Sequence, residues 1–410
     1  HMFRVSDVTT ASAHRMHEAR VSFRWDGETD TPNSTAPQVQ VAGAFTGGGA
    51  SIGAQRLRDF QIEADDDAIL TTKNHTLKAG VQFLLNDDHQ RLTSNFNGTY
   101  IFGSLQDYLA GKPTAVTNVA GTPDGQCTTV RGALIVQDDW KLQHGVQVSM
   151  GLRYFLQNNP DVFNSITPRL GVLWSPTKKG TWTLHAHAGM FSGQYNPGTY
   201  AEMLREDGVH RVTSTVYNPV YGDPFLGATP IHSLRVFAPH ITNLTWAAEN
   251  IGGTRSLPRG FNVSADFYVG RIWNYTRSNN INAPLNGNPF GPRPGAANVN
   301  ILQMQNSGQG RVDAEFFGIE QHSLKHVQFF MGAVRVNLID DTDDNEFFTP
   351  QNAYSNAGEF AHRTGQNQWN FFGNATLKLP EKIELSANMN GGEEGRYNIT
   401  TGFDNNGDGK

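Results

Sequence analysis

Val146-Gln147-Val148-Ser149-Met150-Gly151-Leu152-Arg153-Tyr154 alternates oily and polar positions without a break. Successive side chains on a β-strand point to opposite faces. Val146, Val148, Met150, Leu152 and Tyr154 therefore share one side, and Gln147, Ser149, Gly151 and Arg153 share the other. Residues 181–190 read the same way, with Trp182, Leu184, Ala186, Ala188 and Met190 opposed to Thr181, Thr183, His185, His187 and Gly189. A ribbon with one oily and one wet side suits a half-buried strand of a soluble sheet. It equally suits the wall of a transmembrane barrel, with lipid outside and a polar lumen inside.

The connections decide between the two. Oily faces recur at Ala19–Trp25, Phe60–Ala64, Leu77–Phe83, Leu134–Val136, Leu170–Trp174, Phe261–Val269, Phe330–Leu338, Trp369–Leu379 and Ile383–Met389. Weaker segments near 5–12, 243–256, 313–326 and 397–399 bring the total to roughly 12–14 strands of about nine to eleven residues, a length that suits a membrane-spanning strand. Gly- and Pro-bearing tight turns fall at 143–145, 176–180, 257–260 and 379–382. Between the hairpins run long polar stretches at 27–56, 86–131, 191–242, 276–312 and 340–365. Such loops are uncommon in compact soluble domains. Short turns on one side and long loops on the other belong to an antiparallel, up-and-down, all-β barrel of the outer-membrane type. Helix is confined to 105–109 and 199–206.

Bulk composition agrees. Charged residues make up only 17% of the 410-residue chain, below the usual quarter. Mean hydropathy is −0.46, as expected when only alternate strand positions meet lipid. No apolar run is long enough for a membrane helix. A net charge of −6 lacks the basic footprint of a nucleic-acid binder. The single cysteine, Cys127, reads as an incidental loop thiol and supports neither a disulfide framework nor a cysteine zinc site. His1-Met2 reads as a cloning scar, residues 3–410 as one barrel domain, and no secretion signal follows the start.

Four motifs make the reading specific: Val136-Gln137-Asp138-Asp139-Trp140-Lys141 with Gly151-Leu152-Arg153-Tyr154, Thr167-Pro168-Arg169-Leu170-Gly171 with Trp174-Ser175-Pro176, Asn280-Ile281-Asn282-Ala283-Pro284-Leu285, and Tyr397-Asn398-Ile399-Thr400-Thr401-Gly402. In this order they resemble the barrel of TonB-dependent receptors, in particular the large Oar-like outer-membrane proteins. The resemblance implies uptake of a scarce small solute across the outer membrane of a Gram-negative bacterium. It implies contact with outer-membrane lipid, and coupling to the TonB system through a plug domain. No plug or TonB box is recognisable here, so the chain reads as part of such a barrel.

Candidate sites follow from side-chain chemistry. Arg153, Arg169, His185 and His187 fall on the polar face, as lumen lining suited to an anionic solute. The His185/His187 pair alone provides too few ligands for zinc. Asp404, Asn406 and Asp408 match the opening of a calcium loop, and fit an ordinary polar loop as well. Asp340, Asp341, Asp343 and Asp344 crowd one loop, where a cation or an arginine must offset their repulsion. Gly49-Ala50-Ser51-Ile52-Gly53 matches the nucleophile-elbow pattern, which needs a strand before it and a helix after it. Two further readings stand beside uptake: a soluble serine hydrolase centred on Ser51, and a surface adhesin or structural barrel with loop-bound calcium. Trp25, Tyr100, Phe102, Trp140, Tyr154, Trp174 and Trp182 sit near strand ends, as interfacial girdles or as core.

Overall fold

The computed structural model describes residues 1–285, 288–343 and 347–397. In chain order the long hairpin β1 (Met2–Ser12) and β2 (Arg15–Asp30) is followed by short β3 (Gln38–Val41) and β4 (Phe45–Gly48). Long β5 (Gln55–Thr71) and β6 (His75–Leu92) come next, then short β7 (Thr99–Phe102), α1 (Leu105–Leu109) and β8 (Ala115–Gly121). Four long strands follow: β9 (Asp124–Lys141), β10 (Val146–Gln157), β11 (Val162–Trp174) and β12 (Trp182–Ser192). Helix α2 (Pro197–Arg205) and short β13 (Arg211–Tyr217) and β14 (Ile231–Phe237) fill the next connection. The chain continues through β15 (Thr245–Leu257), β16 (Phe261–Asn280), β17 (Val299–Gln321), β18 (Val327–Asp340), two-residue β19 (Ala361–His362), β20 (Trp369–Lys378) and β21 (Glu384–Gly392). Of the 21 strands, seven (β3, β4, β7, β8, β13, β14, β19) are short loop strands, which leaves fourteen. Those fourteen pair antiparallel, each with the next, from β1 to β21. The expected up-and-down wall of 12–14 strands is present. Among the described residues β1 and β21 are each paired on one side only, and the sheet is not closed.

The wall is oily outside and polar inside. Val136 is 60% exposed, Leu152 51% and Ile251 63%, whereas the opposite face carries interlocked charge. On that inner face Arg20 pairs with Asp65 at 2.5 Å, Lys78 with Asp67 at 2.9 Å, and Arg153 donates to Gln82 at 2.6 Å. The tight turns hold as read. At the β9–β10 turn His144 and Gly145 both take positive φ, and a Cβ at Gly145 would lie 2.4 Å from the Ser175 carbonyl. Trp25, Trp140, Trp174 and Trp182 are exposed on the outer face, while Tyr100 and Phe102 are buried among the loops. No helix among the described residues is long and apolar enough to cross a membrane.

Three expectations need correcting. Residues 276–312 are not mostly loop: β16 and β17 run to 20 and 23 residues and leave only 281–298 as connection. The far end of β16 is polar on both faces, and that of β17 carries apolar residues on both, Val299 and Ile301 against Leu302 and Met304, so neither alternates cleanly, yet the ladder still satisfies their backbone. Second, Phe330, Val334, Val336 and Leu338 lie on the inner face. The pairs Phe330↔Asn374 and Gly332↔Phe372 place them opposite exposed Met331 and Val327. Both faces of β18 are apolar there, and Phe316, Phe330 and Phe372 gather inside at centroid separations of 6.3 and 5.8 Å. Third, Cys127 is buried within β9 and is not in a loop.

Candidate functional site

The inner face of β10–β12 is built from alternating large and absent side chains. Register sets Arg169 between Gly151 and Gly189, and Gly171 between Ser149 and His187. Gly171 has no room for a side chain, since a Cβ there would meet the His187 Nδ1 at 2.6 Å. Arg169 extends over the Phe191 ring, 4.7 Å from its centroid, in cation–π range. A cavity of about 390 Å³ opens here, lined by Arg169, His187, Phe191, Asn250 and Tyr268 among others. Arg169 and His187 thus share one site. Arg153 and His185 are held apart from it: Arg153 by Gln82, and His185 by Asp266, whose Oδ1 lies 2.7 Å from the imidazole Nε2.

Above the wall, strands from three connections form a canopy. β4 pairs with β3, β3 runs parallel to β7, and β7 pairs with β8. β8 continues through β13 and β14, and β14 runs parallel to the far end of β17. The canopy therefore links the β2–β5 connection to β17. The hydrophobic clusters of buried residues lie here. Val41, Tyr100, Phe102, Val116 and Val216 form one, and Tyr195, Met203 and Met304 the other. A barrel wall turns most of its oil outward, so these buried clusters draw mainly on the loops.

Helix α2 joins canopy to wall. Asn196 caps it by accepting from the Gly198 amide, with Pro197 at the first turn. It packs on β9, β6 and β14, on the inner-face side marked by buried Cys127, Thr129 and Arg131. Arg131 donates to the Tyr195 carbonyl. Glu202 bridges Arg205 and Arg211, and Glu206 bridges Arg211 and Arg235. Arg205 also donates to the Pro123 carbonyl at 2.9 Å. Burial pushes the Arg205 and Arg211 guanidinium groups below their ordinary pKa; arginine stays charged regardless. Beside α2 lies a cavity of about 830 Å³, walled by the 159–164 segment, Tyr200, and residues 237–242 including Phe237 and His240. Burial raises the Tyr200 phenol.

The remaining candidates fall elsewhere. Ser51 sits in a turn followed by strand β5, so the helix required of a nucleophile elbow is replaced by a strand. Asp340 is paired with Arg363, and Asp341 with Arg277 at 3.3 Å. Asp343 accepts from the Thr364 amide at 2.7 Å. Arginine thus offsets the acidic loop. Among the described residues no three acid, histidine or cysteine groups gather as metal ligands. Asp344, Asp404, Asn406 and Asp408, and most of the motif beginning at Tyr397, lie outside the described residues. The Asn280–Leu285 motif organises its connection: Asn282 donates to the carbonyls of Ala296 and Val299 at 2.9 and 2.8 Å and accepts from the Gly295 amide at 2.7 Å. Tyr200, Phe237 and Tyr268 were not picked out from the sequence. An aromatic in a polar loop carries no periodic mark, although Tyr268 alternates inward within β16.

An inside-out wall, tight turns at one end and a packed canopy at the other define the fold class: a wall of the outer-membrane β-barrel type. Residues 6–164 match the family described as an outer membrane beta barrel domain. Among solved structures, the chain is similar to the outer membrane transporter YddB from Escherichia coli, at 13% identity and a TM-score of 0.62, covering 92% of this chain and 48% of that one. The FrpB iron transporter from Neisseria meningitidis follows at 12% identity and 0.57, covering 94% and 49%. The siderophore receptor PirA from Acinetobacter baumannii gives 10% and 0.57, covering 96% and 51%. The chain spans about half the length of these structures. No curated protein matches it. The barrel is TonB-dependent-receptor-like in fold, as the sequence motifs led us to expect.

Proposed function

We propose that the chain forms the wall and canopy of an outer-membrane protein that takes up a small solute. The canopied cavity of about 830 Å³ beside α2 carries this reading. Its size is that of a small-molecule site, and it stands at the long-loop end, where loops on a rigid scaffold recognise ligands. Tyr200, Phe237 and His240 receive the solute there, and the inner-face cavity with Arg169 and His187 is a second station along the wall. The arginine and the aromatic lining favour an anionic solute or anionic metal chelate. The structural neighbours include an iron transporter and a siderophore receptor, which makes ferric chelates the first probes to use. TonB coupling and an Oar-like lineage belong to the same proposal, as properties of the complete protein.

Fluorescence titration of the complete protein with ferric enterobactin tests the site, with a panel of anionic ferric chelates run beside it. Saturable binding that Tyr200→Ala/Phe237→Ala weakens about thirtyfold is the expected result, two aromatic contacts being worth roughly 1 kcal/mol each. Binding of equal strength in the double variant would remove this cavity from solute recognition.

A further inference from the structure

The outer face of β5, β6 and β9 carries a feature that solute uptake leaves unused. Lower on these strands that face is oily, through Phe60 and Ile62, Val81 and Phe83, and Leu134 and Val136. Continued toward the long loops, the same alternation brings Arg58 and Arg56 outward on β5, His89 and Arg91 on β6, and Gln126 and Asp124 on β9. Register sets them side by side: Arg56↔Arg91, Arg58↔His89, His89↔Gln126 and Arg91↔Asp124. Arg58 is the next outward position above Phe60, about 7 Å along the strand. Together the six residues border a surface hollow of about 640 Å³.

Charge in the hollow is only partly offset. Arg91 pairs with Asp124 at 2.7 Å and His89 with Asp87 at 3.0 Å. Among the described residues, no side-chain hydrogen bond or ion pair engages Arg56 or Arg58, and both are exposed. Three arginines and a histidine therefore face two carboxylates. Two free guanidinium forks sit immediately above an oily wall, on the side opposite the lumen.

We propose that this hollow binds the phosphorylated headgroup of an outer-leaflet lipid, with its acyl chains lying on Phe60, Phe83 and Leu134. Arginine forks match phosphate oxygens in pairs. A cationic rim adjoining an apolar surface suits an amphiphile with an anionic head. A solute reaching the lumen never meets this face. An acidic protein partner would account for the cations and leave the oily continuation below them without a role. The assignment is independent of which solute the barrel carries.

The test uses the complete protein, purified in neutral detergent and titrated with lipid A in matched micelles. Arg56→Ala/Arg58→Ala should weaken lipid A binding by at least tenfold, since both free guanidinium forks at the membrane surface are lost. Heat-modifiable mobility should be unchanged, which shows that the wall still folds. Inorganic phosphate in millimolar excess should not displace the lipid. Unchanged lipid A affinity in the folded double variant would overturn the proposal. Displacement by inorganic phosphate would overturn the lipid assignment and leave a free-phosphate site. Loss of an associated membrane protein in the variant, with lipid A binding intact, would assign the hollow to a protein partner and overturn it too.

Discussion

At residue scale, the inner face works by pairing a large polar side chain with a glycine on the neighbouring strand. Gly171→Val should displace His187, whose Nδ1 lies 2.6 Å from where the new Cβ would be. Overpacking of this kind costs about 1–3 kcal/mol. The expected readouts are a lower urea midpoint and a shifted His187 imidazole resonance; an unmoved resonance would mean that the row is loosely packed. The opposite face obeys the bilayer. Leu152→Arg should cost about 2–4 kcal/mol if Leu152 lies near the midplane and about 1 kcal/mol or less near an interface. The inward neighbour change Arg153→Leu removes the bond to Gln82 and the contact of the guanidinium with the Phe155 ring. Much of this was legible in the sequence. Arg153, Arg169, His185 and His187 all fall on the polar phase of clean alternation, and the structure places all four on the inner face. That Arg169 and His187 share a cavity while His185 is taken by Asp266 was not legible. It depends on register between strands some 80 residues apart.

At element scale, α2 and its charged network decide whether the canopy stays on the wall. Glu202 serves two buried guanidinium groups, Arg205 and Arg211, which are 4% and 3% exposed. Glu202→Ala takes the ion-pair partner from Arg205 and leaves Arg211 with Glu206 alone, and breaking a buried pair costs about 3–5 kcal/mol. The variant should be cleaved faster by trypsin within 193–244 while the wall keeps its heat-modifiable mobility. Equal cleavage rates would show that the apolar cluster around Met203 and Met304 suffices. The turn after α2 has its own pH dependence. Burial opposes the charge of Asp207, but hydrogen bonds from the Val209 and His210 amides at 2.8 Å and from the His210 imidazole outweigh it and lower the carboxyl pKa. A carboxyl depressed in the folded state stabilises fully above its unfolded value of about 3.9 and loses that contribution as pH falls through the folded value. Exchange of the Val209 and His210 amides should therefore accelerate below about pH 4 relative to the intrinsic rate. Asp207→Asn should show no such step. The two helices were visible in the sequence, as short helical runs within polar loops. The canopy was not, because its strands are four to seven residues long and pair across connections far apart in sequence.

At the scale of the whole molecule, every feature follows from a sheet that faces oil with one side and water with the other. The strand count, the turns and the loop asymmetry were readable because lipid and lumen impose one rule on every strand. The exceptions are informative. β18 misled because apolar residues occupy both of its faces. The far ends of β16 and β17 were missed because neither alternates: the first is polar on both faces, and the second carries apolar residues on both. The decisive measurement is lipid accessibility along β10 and β12. In the complete protein reconstituted in lipid, spin labels placed singly at 152 and 184 should be relaxed by oxygen dissolved in the bilayer. Labels at 153 and 187 should respond to a water-soluble nickel reagent instead. Water-type accessibility at all four positions, or the reverse assignment of the two faces, would contradict the barrel.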